Sequence, residues 1–184
     1  MGRTRMSKSA DIVRRISTAA VESVAAVDSA QFEAFLDSAR RAKQVLFYGA
    51  GRTGFLARLA VVRWRHLGLR AWFIGEAATP PAATGDLCVI CSGSGDTATS
   101  LAVGRAARQA GADLAFITGK GRMPADPAPE ISVEIPLGER ARAAPLGTIF
   151  EHALLLLLDA ASVRLADELH QSERQMRRRH TNIG

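Results

Sequence analysis

The chain has 184 residues, the size of one ordinary domain, and its 47% hydrophobic and 23% charged content is typical of a globular protein. The formal net charge of +6 reflects basic residues near both ends, Arg3, Arg5 and Lys8 and then Arg177–Arg179, but no nucleic-acid motif accompanies them, so we expect no nucleic-acid partner. No apolar run is long enough to cross a membrane, and no apolar signal core precedes Asp11, so we expect a cytoplasmic protein.

Two helices are predicted before any strand. Apolar residues recur at helical spacing over residues 8–27 and again over 30–42. The pattern changes at Val45–Tyr48, a short apolar run that is typical of a buried strand. The helical segments therefore precede the sheet in the chain and form a separate N-terminal part.

From Val45 onward, predicted strands alternate with predicted helices. Further strands are expected at Ala71–Ile74, Leu87–Cys91, Leu114–Thr118 and Ile131–Ile135, and helices at Thr53–Leu67, from Gly93 and Gly95 to Ala110, and at Pro145–Leu169. Such alternation indicates βαβ units and a parallel sheet covered by helices on both faces. We therefore predict an α/β protein: a three-layer αβα sandwich with a five-stranded, doubly wound parallel sheet of the flavodoxin-like type. It forms a single domain over 1–184, with N-terminal helices at 1–43, the parallel core at 44–136, and C-terminal helices and a tail at 145–184.

Two cysteines, Cys88 and Cys91, have the C-x-x-C spacing of some metal and redox sites. They lie within one predicted strand, where side chains three positions apart point to opposite faces of the sheet. No second cysteine pair or clustered histidine completes a metal site. We expect two free, buried thiols, which fit a reducing cytoplasm.

The loop Gly49–Gly54 follows the first predicted strand and has glycines at the spacing G-x-G-x-x-G. That spacing occurs in dinucleotide-binding loops, and Glu76 follows the next strand, where such proteins place an acidic residue. Arg52 and Thr53 instead offer a cation and a hydroxyl that suit a single phosphate or a sugar. We favour a sugar phosphate over a dinucleotide.

The loop Ser92–Thr97 follows the third predicted strand and carries the strongest chemical signal. The hydroxyls of Ser92, Ser94 and Thr97 can each donate a hydrogen bond to a phosphate oxygen, and the glycines between them, Gly93 included, allow the backbone to approach a ligand. The start of a helix also favours an anion. The alternative is ordinary capping by Ser94, with Asp96 in the first helical turn, but capping needs only one hydroxyl.

Six segments carry a resemblance to a known family. They are YGAGRTGFLA at 48–57, RWRHLG at 63–68, GEAATPPAATGDL at 75–87, CSGSGDT at 91–97, PLGTIFEHALLLLLDA at 145–160 and RRHTNI at 178–183. With these segments the chain resembles the sugar isomerase (SIS) domain family and, within it, the 6-phospho-3-hexuloisomerases. The Ser-Gly-Ser-Gly loop marks the broad family, whereas the Leu-Gly-x-x-Phe-Glu helix start and the terminal Arg-His-x-Asn are more specific.

The resemblance implies a SIS fold and the interconversion of 3-hexulose 6-phosphate and fructose 6-phosphate through a cis-enediol, with no cofactor and no metal. It implies that Glu151 is the base and that His180 assists at the sugar oxygens, in its own or a neighbouring subunit's site. The implied substrate-binding residues are Gly51, Arg52, Thr53, Ser92, Gly93, Ser94, Thr97 and Glu76. A homotetramer is also implied, and a functional link to the synthase that condenses formaldehyde with ribulose 5-phosphate.

The chain departs from the family pattern at several positions. Thr53 stands where serine is usual, His152 stands where glutamine is usual, and the segments Gly119–Pro124 and Gly138–Ala144 differ in composition. These differences bear on the exact sugar more than on the reaction type. Two alternatives stay open beside the hexulose reaction: a non-catalytic module that binds a phosphosugar, and an isomerase of another phosphosugar such as arabinose 5-phosphate.

Overall fold

The computed structural model describes residues 2–119 and 123–183, with side chains from Lys8 onward. The side chains of Arg3 and Arg5, and residues 120–122 of the loop Gly119–Pro124, lie outside the described residues. In chain order the elements are α1 at Gly2–Ala25, α2 at Ser29–Arg41, β1 at Val45–Gly49, α3 at Gly51–His66, β2 at Ala71–Phe73, β3 at Leu87–Ser92, α4 at Ala98–Gln109, β4 at Asp113–Thr118, β5 at Ile131–Glu134, a 3₁₀ helix at Gly138–Ala143, α5 at Thr148–Glu168 and α6 at Glu173–Arg178.

The five strands form one sheet in the order β2-β1-β3-β4-β5, and every neighbouring pair is parallel. The chain leaves β1 in one direction to form β2, then returns and continues from β3 in the other direction. The carboxyl ends of β1 and β3 therefore flank a topological switch point, the place where open parallel sheets bind ligands. The predicted α/β fold with a five-stranded parallel sheet is confirmed.

Helices cover both faces of the sheet, and each face has its own apolar core. On one face Trp64 of α3 lies edge-on to Phe47 of β1, with ring centroids 4.9 Å apart, and α1, α2 and α5 pack around it. On the other face α4 covers Ile90 and Phe116. Trp64 also donates its indole N–H to Ser162 Oγ at 3.1 Å, which joins α3 to α5. Within the described residues, no helix combines the length and the apolar character needed to cross a membrane.

Cys88 and Cys91 are free, buried thiols that belong to the cores on opposite faces of the sheet, as their spacing predicts. Burial raises the pKa of each thiol to about 12. Among the described residues, no group of three or more His, Cys, Asp or Glu side chains is placed to hold a metal ion.

Because a raised pKa keeps each thiol protonated, we expect neither cysteine of the native protein to react with iodoacetamide at pH 8. Both should react once the protein is unfolded in denaturant, and mass spectrometry of the two samples measures this. Rapid alkylation of the native protein would contradict the buried placement of Cys88 and Cys91.

The start of α4 differs from its prediction. The helix begins at Ala98 with Thr97 as its N-cap, so the expectation that it opens at Gly93 and Gly95 is wrong. Asp96 therefore precedes the helix instead of lying in its first turn, and Ser94 is not the cap. The physical reason is a local turn in which the Gly95 N–H donates to the carbonyl oxygen of Ser92 at 3.1 Å and to its hydroxyl at 3.2 Å.

The end of α5 provides a stability prediction. His170 follows the helix with a φ of +53°, and the N–H groups of His170 and Gln171 bond back to the carbonyls of Asp167 and Ala166, which is a Schellman motif. Glycine is preferred at this left-handed position because a Cβ atom costs about 1 kcal/mol there. We expect His170→Gly to raise the Tm by about 2–4 °C. Differential scanning calorimetry measures this, and His170→Ala, which retains the Cβ atom, should bring no gain.

Candidate functional site

A cleft of about 760 Å³ opens at the carboxyl ends of the strands, beside the start of α5. Four of the residues implied by the sequence line it: Thr53 from α3, Gly93 and Ser94 from the loop after β3, and Glu151 from α5. Three separate parts of the chain therefore meet at one edge of the sheet. The cleft is large enough for a small phosphorylated metabolite.

The hydroxyls of the Ser92–Thr97 loop converge on Thr97. Its Oγ1 lies 3.2 Å from Ser92 Oγ and 3.3 Å from Ser94 Oγ. Thr97 is the N-cap residue of α4, but its side chain makes no capping hydrogen bond to the helix. Ordinary helix capping therefore does not account for the three hydroxyls. They form a cluster of donors at the positive end of a helix, an arrangement that suits an anion.

Glu151 lies in the first turn of α5 and is only 8% exposed. Arg52 Nη2 of α3 is 2.9 Å from Glu151 Oε2, but no N–H bond is directed at that oxygen, so the contact is an ion pair without a hydrogen bond. Within the described residues, Glu151 Oε2 is thus a buried acceptor with no hydrogen-bond partner. Burying such a group costs free energy, and the oxygen remains an acceptor beside the cleft.

The position of the Glu151 carboxylate depends on how the preceding residue, Phe150, packs against two glycines. Sequence reasoning did not connect these glycines with Glu151. A Cβ atom at Gly93 would lie 2.9 Å from the Phe150 ring, and one at Gly119 would lie 2.8 Å from it. Only glycine therefore allows the ring to pack against the ends of β3 and β4. Because Glu151 follows Phe150 directly, this packing sets where α5 begins and where its carboxylate lies.

Local packing explains the glycines of the first loop. A Cβ atom at Gly54 would overlap the carbonyl oxygen of Gly49, so glycine is needed for α3 to approach the end of β1. Gly51 has a φ of +56°, a left-handed conformation that favours glycine, and it begins α3 outside the cleft lining. The spacing of these glycines therefore has a structural cause that does not require a dinucleotide.

Glu76 is not brought to the cleft. It follows β2, which is an edge strand separated from β3 by β1. Its Oε1 accepts a hydrogen bond from Arg58 Nε at 3.2 Å, and the Arg58 guanidinium lies 3.6 Å from the centre of the Phe73 ring. The contacts of Glu76 are thus with α3 and β2, away from the hydroxyl loop.

His180 lies at the opposite end of α3 from the cleft. Its ring is 5.0 Å from the ring of His66, the last residue of α3, and Arg179 donates to the His66 carbonyl oxygen at 2.9 Å. Burial lowers the pKa of His66, and the neighbouring His180 and Arg63 add to that effect. Arg52 and His66 are 14 positions apart, roughly 21 Å along a helix. His180 is therefore far from Glu151 of its own chain.

A second, smaller hollow of about 280 Å³ lies between the exposed sides of α3 and α5. Arg52, Phe55, Glu151 and His152 are among the residues that line it. His152 Nδ1 lies 2.8 Å from the carbonyl oxygen of Thr148, and because a carbonyl only accepts, this nitrogen carries the proton. Glu151 lines both hollows, so its side chain lies between the large cleft and the α3–α5 surface.

Sequence reasoning missed one polar residue of the cleft. Glu134 ends β5 and lines the cleft together with Ser94 and Glu151. The rule that pointed to the loops after β1 and β3 applies equally to the end of β5, so the position of Glu134 could have been recognised from the strand pattern.

Comparisons with known proteins cover nearly the whole chain, although no family model matches it. A 3-hexulose-6-phosphate isomerase of Methylomonas aminofaciens is 32% identical over 73% of this chain and 77% of its own. A 3-hexulose-6-phosphate isomerase of Bacillus subtilis is 29% identical over 96% of this chain and 99% of its own. A crystal structure from Methanococcus jannaschii, described as inferring a function of 3-hexulose-6-phosphate isomerase, has a TM-score of 0.80 and 26% identity, covering 94% of this chain and 98% of that one. The similarity therefore includes the elements that form the cleft.

Proposed function

Because the chain belongs to the 3-hexulose-6-phosphate isomerase family and is a phosphosugar isomerase, we propose that it interconverts 3-hexulose 6-phosphate and fructose 6-phosphate. The observation that carries this proposal is that the buried carboxylate of Glu151 and the hydroxyl residue Ser94 line the same cleft, with Ser92 and Thr97 of the hydroxyl cluster behind Ser94 and outside the lining. The carboxylate suits proton transfer, and the hydroxyl cluster suits binding of the phosphate.

The phosphate end of the substrate binds at the hydroxyl cluster. Ser92, Ser94 and Thr97 exchange their mutual hydrogen bonds for bonds to phosphate oxygens, and Thr53 contributes from the facing helix. Gly93 lines the cleft beside Ser94, and its lack of a Cβ atom leaves room for the Phe150 ring. Anchoring the phosphate here directs the carbon chain along the cleft toward Glu151.

Glu151 moves the proton between adjacent carbons. Its carboxylate takes the proton from C2 of 3-hexulose 6-phosphate, and the electron pair of that C–H bond forms the C2–C3 double bond of a cis-enediolate. The negative charge develops on O3, and a proton passes from O2 to O3 as the carbonyl forms at C2. Glu151 then returns its proton to C3 and gives fructose 6-phosphate, so the reaction neither consumes nor releases a proton. Arg52, 2.9 Å from Glu151 Oε2, positions the carboxylate.

The donor at the sugar oxygens comes from a second copy of the chain. His180 is the residue implied for this role, and it lies roughly 20 Å from Glu151 of its own chain, because α3 separates them. A side chain cannot act over that distance. His180 therefore serves the site of a neighbouring subunit, where it lies against the hollow between α3 and α5.

An exposed apolar stripe supports this assembly. It consists of Phe55, Leu59 and Val62 on α3, with Leu156 and Val163 on α5. The three α3 residues lie on the side of the helix that faces away from the sheet, and Phe55 and Val163 are 68% and 63% exposed. Large apolar side chains grouped in this way on adjacent helices are typical of a protein interface.

The relative direction of α3 and α5 determines which residues of two copies would meet at the stripe. Arg52 pairs with Glu151 near the start of α3 and α5, and Trp64 bonds to Ser162 farther along both, so the two helices run in parallel. A two-fold axis that crosses the stripe perpendicular to the helices would lay them against the partner's helices in the opposite direction. The end that carries His180 then meets the partner's Glu151. Two such pairs would form the homotetramer that the family resemblance implies.

The cellular setting follows from the proposed reaction. The substrate would come from the synthase that joins formaldehyde to ribulose 5-phosphate, as in the ribulose monophosphate pathway. We place the protein in the cytoplasm, where its two free cysteines are compatible with a reducing environment.

The proposed activity is tested by generating 3-hexulose 6-phosphate in situ from formaldehyde and ribulose 5-phosphate with an added synthase. Formation of fructose 6-phosphate in proportion to the amount of this protein is the expected result. A protein that is thermally stabilised by fructose 6-phosphate but forms none would be a non-catalytic phosphosugar-binding module. Turnover of arabinose 5-phosphate alone would assign the site to a different phosphosugar.

A further inference from the structure

Glu134 is a carboxylate of the cleft that the proposed reaction does not use. It ends β5 in register with Thr118 of β4, and the N–H of the next residue, Ile135, donates to the Thr118 carbonyl oxygen at 2.8 Å. Its own N–H donates to Gln31 Oε1 of α2 at 2.9 Å. The backbone of Glu134 is thus held from both sides, and the residue belongs to the rigid sheet instead of a mobile loop.

The carboxylate of Glu134 is available to a ligand. The residue is half-buried, and within 2–119 and 123–183 its side chain makes no hydrogen bond or ion pair. Nearby glutamates are engaged otherwise: Glu130 receives hydrogen bonds from Arg108 and from the Leu114 N–H, and Glu139 pairs with Arg142. Among the described residues Glu134 is therefore a hydrogen-bond acceptor without an internal partner, and it lines both the cleft and a neighbouring hollow beside Asp28 and Gln31.

The chemistry of a carboxylate decides which part of a phosphosugar it can bind. An ionised carboxylate only accepts hydrogen bonds and repels a phosphate group, so it cannot help the hydroxyl cluster hold the phosphate. Sugar hydroxyls are donors, and its two oxygens can accept from two neighbouring hydroxyls at once. We propose that Glu134 binds hydroxyl groups of the sugar chain and thereby determines which phosphosugar the cleft accepts.

This role differs from that of Glu151. Glu151 is almost fully buried at the start of α5, beside Arg52, whereas Glu134 lies at the end of β5. A hydroxyl-binding carboxylate holds substrate and transition state alike, so its removal weakens binding more than turnover. The inference rests on one part of the proposed function, namely that the ligand of the cleft is a sugar phosphate. It can be tested by measuring ligand binding, without measuring turnover.

Isothermal titration with fructose 6-phosphate and, separately, with inorganic phosphate tests this proposal on three proteins: the wild type, Glu134→Ala and the control Glu139→Gln. We expect Glu134→Ala to weaken fructose 6-phosphate binding roughly 10- to 100-fold and to leave phosphate binding equal or tighter. Glu134→Gln, which retains one acceptor oxygen, should fall between Glu134→Ala and the wild type. The control variant should bind both ligands as the wild type does.

Two binding outcomes and one kinetic outcome would overturn the assignment. Equal weakening of both ligands would mean that Glu134→Ala has disturbed the fold or the phosphate site, and unchanged binding of both would mean that Glu134 does not touch the sugar. In the isomerase assay we expect KM to rise with kcat within a few-fold, whereas a large loss of kcat at constant KM would make Glu134 an acid or base. A wild type that binds fructose 6-phosphate but does not isomerise it would refute the proposed reaction and leave the binding test of Glu134 intact.

Discussion

Glu151→Gln is expected to lower kcat for fructose 6-phosphate formation by about 10²- to 10⁴-fold, the range typical of losing a general base. The amide has the shape of the carboxylate but cannot take a proton from carbon. Because the hydroxyl cluster that holds the phosphate is unchanged, the Kd for fructose 6-phosphate should change little. Steady-state kinetics and isothermal titration together measure this separation of turnover from binding.

The control for this variant is Glu168→Gln, at the other end of the same helix. Glu168 pairs with Arg164 on the surface, outside the residues that line the cleft, so its replacement should leave both kcat and Kd near the wild-type values. Thermal unfolding of both variants checks that the fold is retained. If folded Glu151→Gln turns over within a few-fold of the wild type, Glu151 is not the base.

Mixing two inactive variants is expected to restore activity. Glu151→Gln and His180→Ala should each be strongly impaired alone, because each changes one side of a shared site. Co-expression allows mixed pairs in which one site carries both changes and the other carries neither. Since about half of random pairs are mixed and half of their sites are intact, activity should return to about a quarter of the wild-type value.

The matched control is co-expression of Glu151→Gln with the double variant Glu151→Gln/His180→Ala, from which no intact site can form. Activity should not return in that mixture. Native mass spectrometry of differently tagged subunits shows whether mixed pairs are present. Mixed pairs without activity would show that His180 does not act across the interface, and full activity of His180→Ala would remove it from the mechanism.

The order of strands and helices was accessible from local sequence because burial leaves a direct mark on each segment. The β3 run LCVICS is buried throughout, since helices cover both faces of its sheet, and uninterrupted apolar residues are the signature of that environment. Its two cysteines were assigned to opposite faces by strand geometry alone. The start of α4 was harder to predict from the sequence. The hydrogen bonds of Gly95 to Ser92 keep these residues in the loop, although their sequence is equally compatible with the start of a helix.

By itself, the sequence determined the α/β class, the parallel sheet and the hydroxyl loop after β3, because apolar runs and loop composition are local properties. Only the tertiary structure decided which candidates share the site. It brought Glu151 beside Arg52, added Glu134 from β5, left Glu76 with Arg58 and placed His180 at the far end of α3. These relations join residues as far apart as His66 and His180, and they depend on strand order and helix packing, which the pattern within any one segment does not contain.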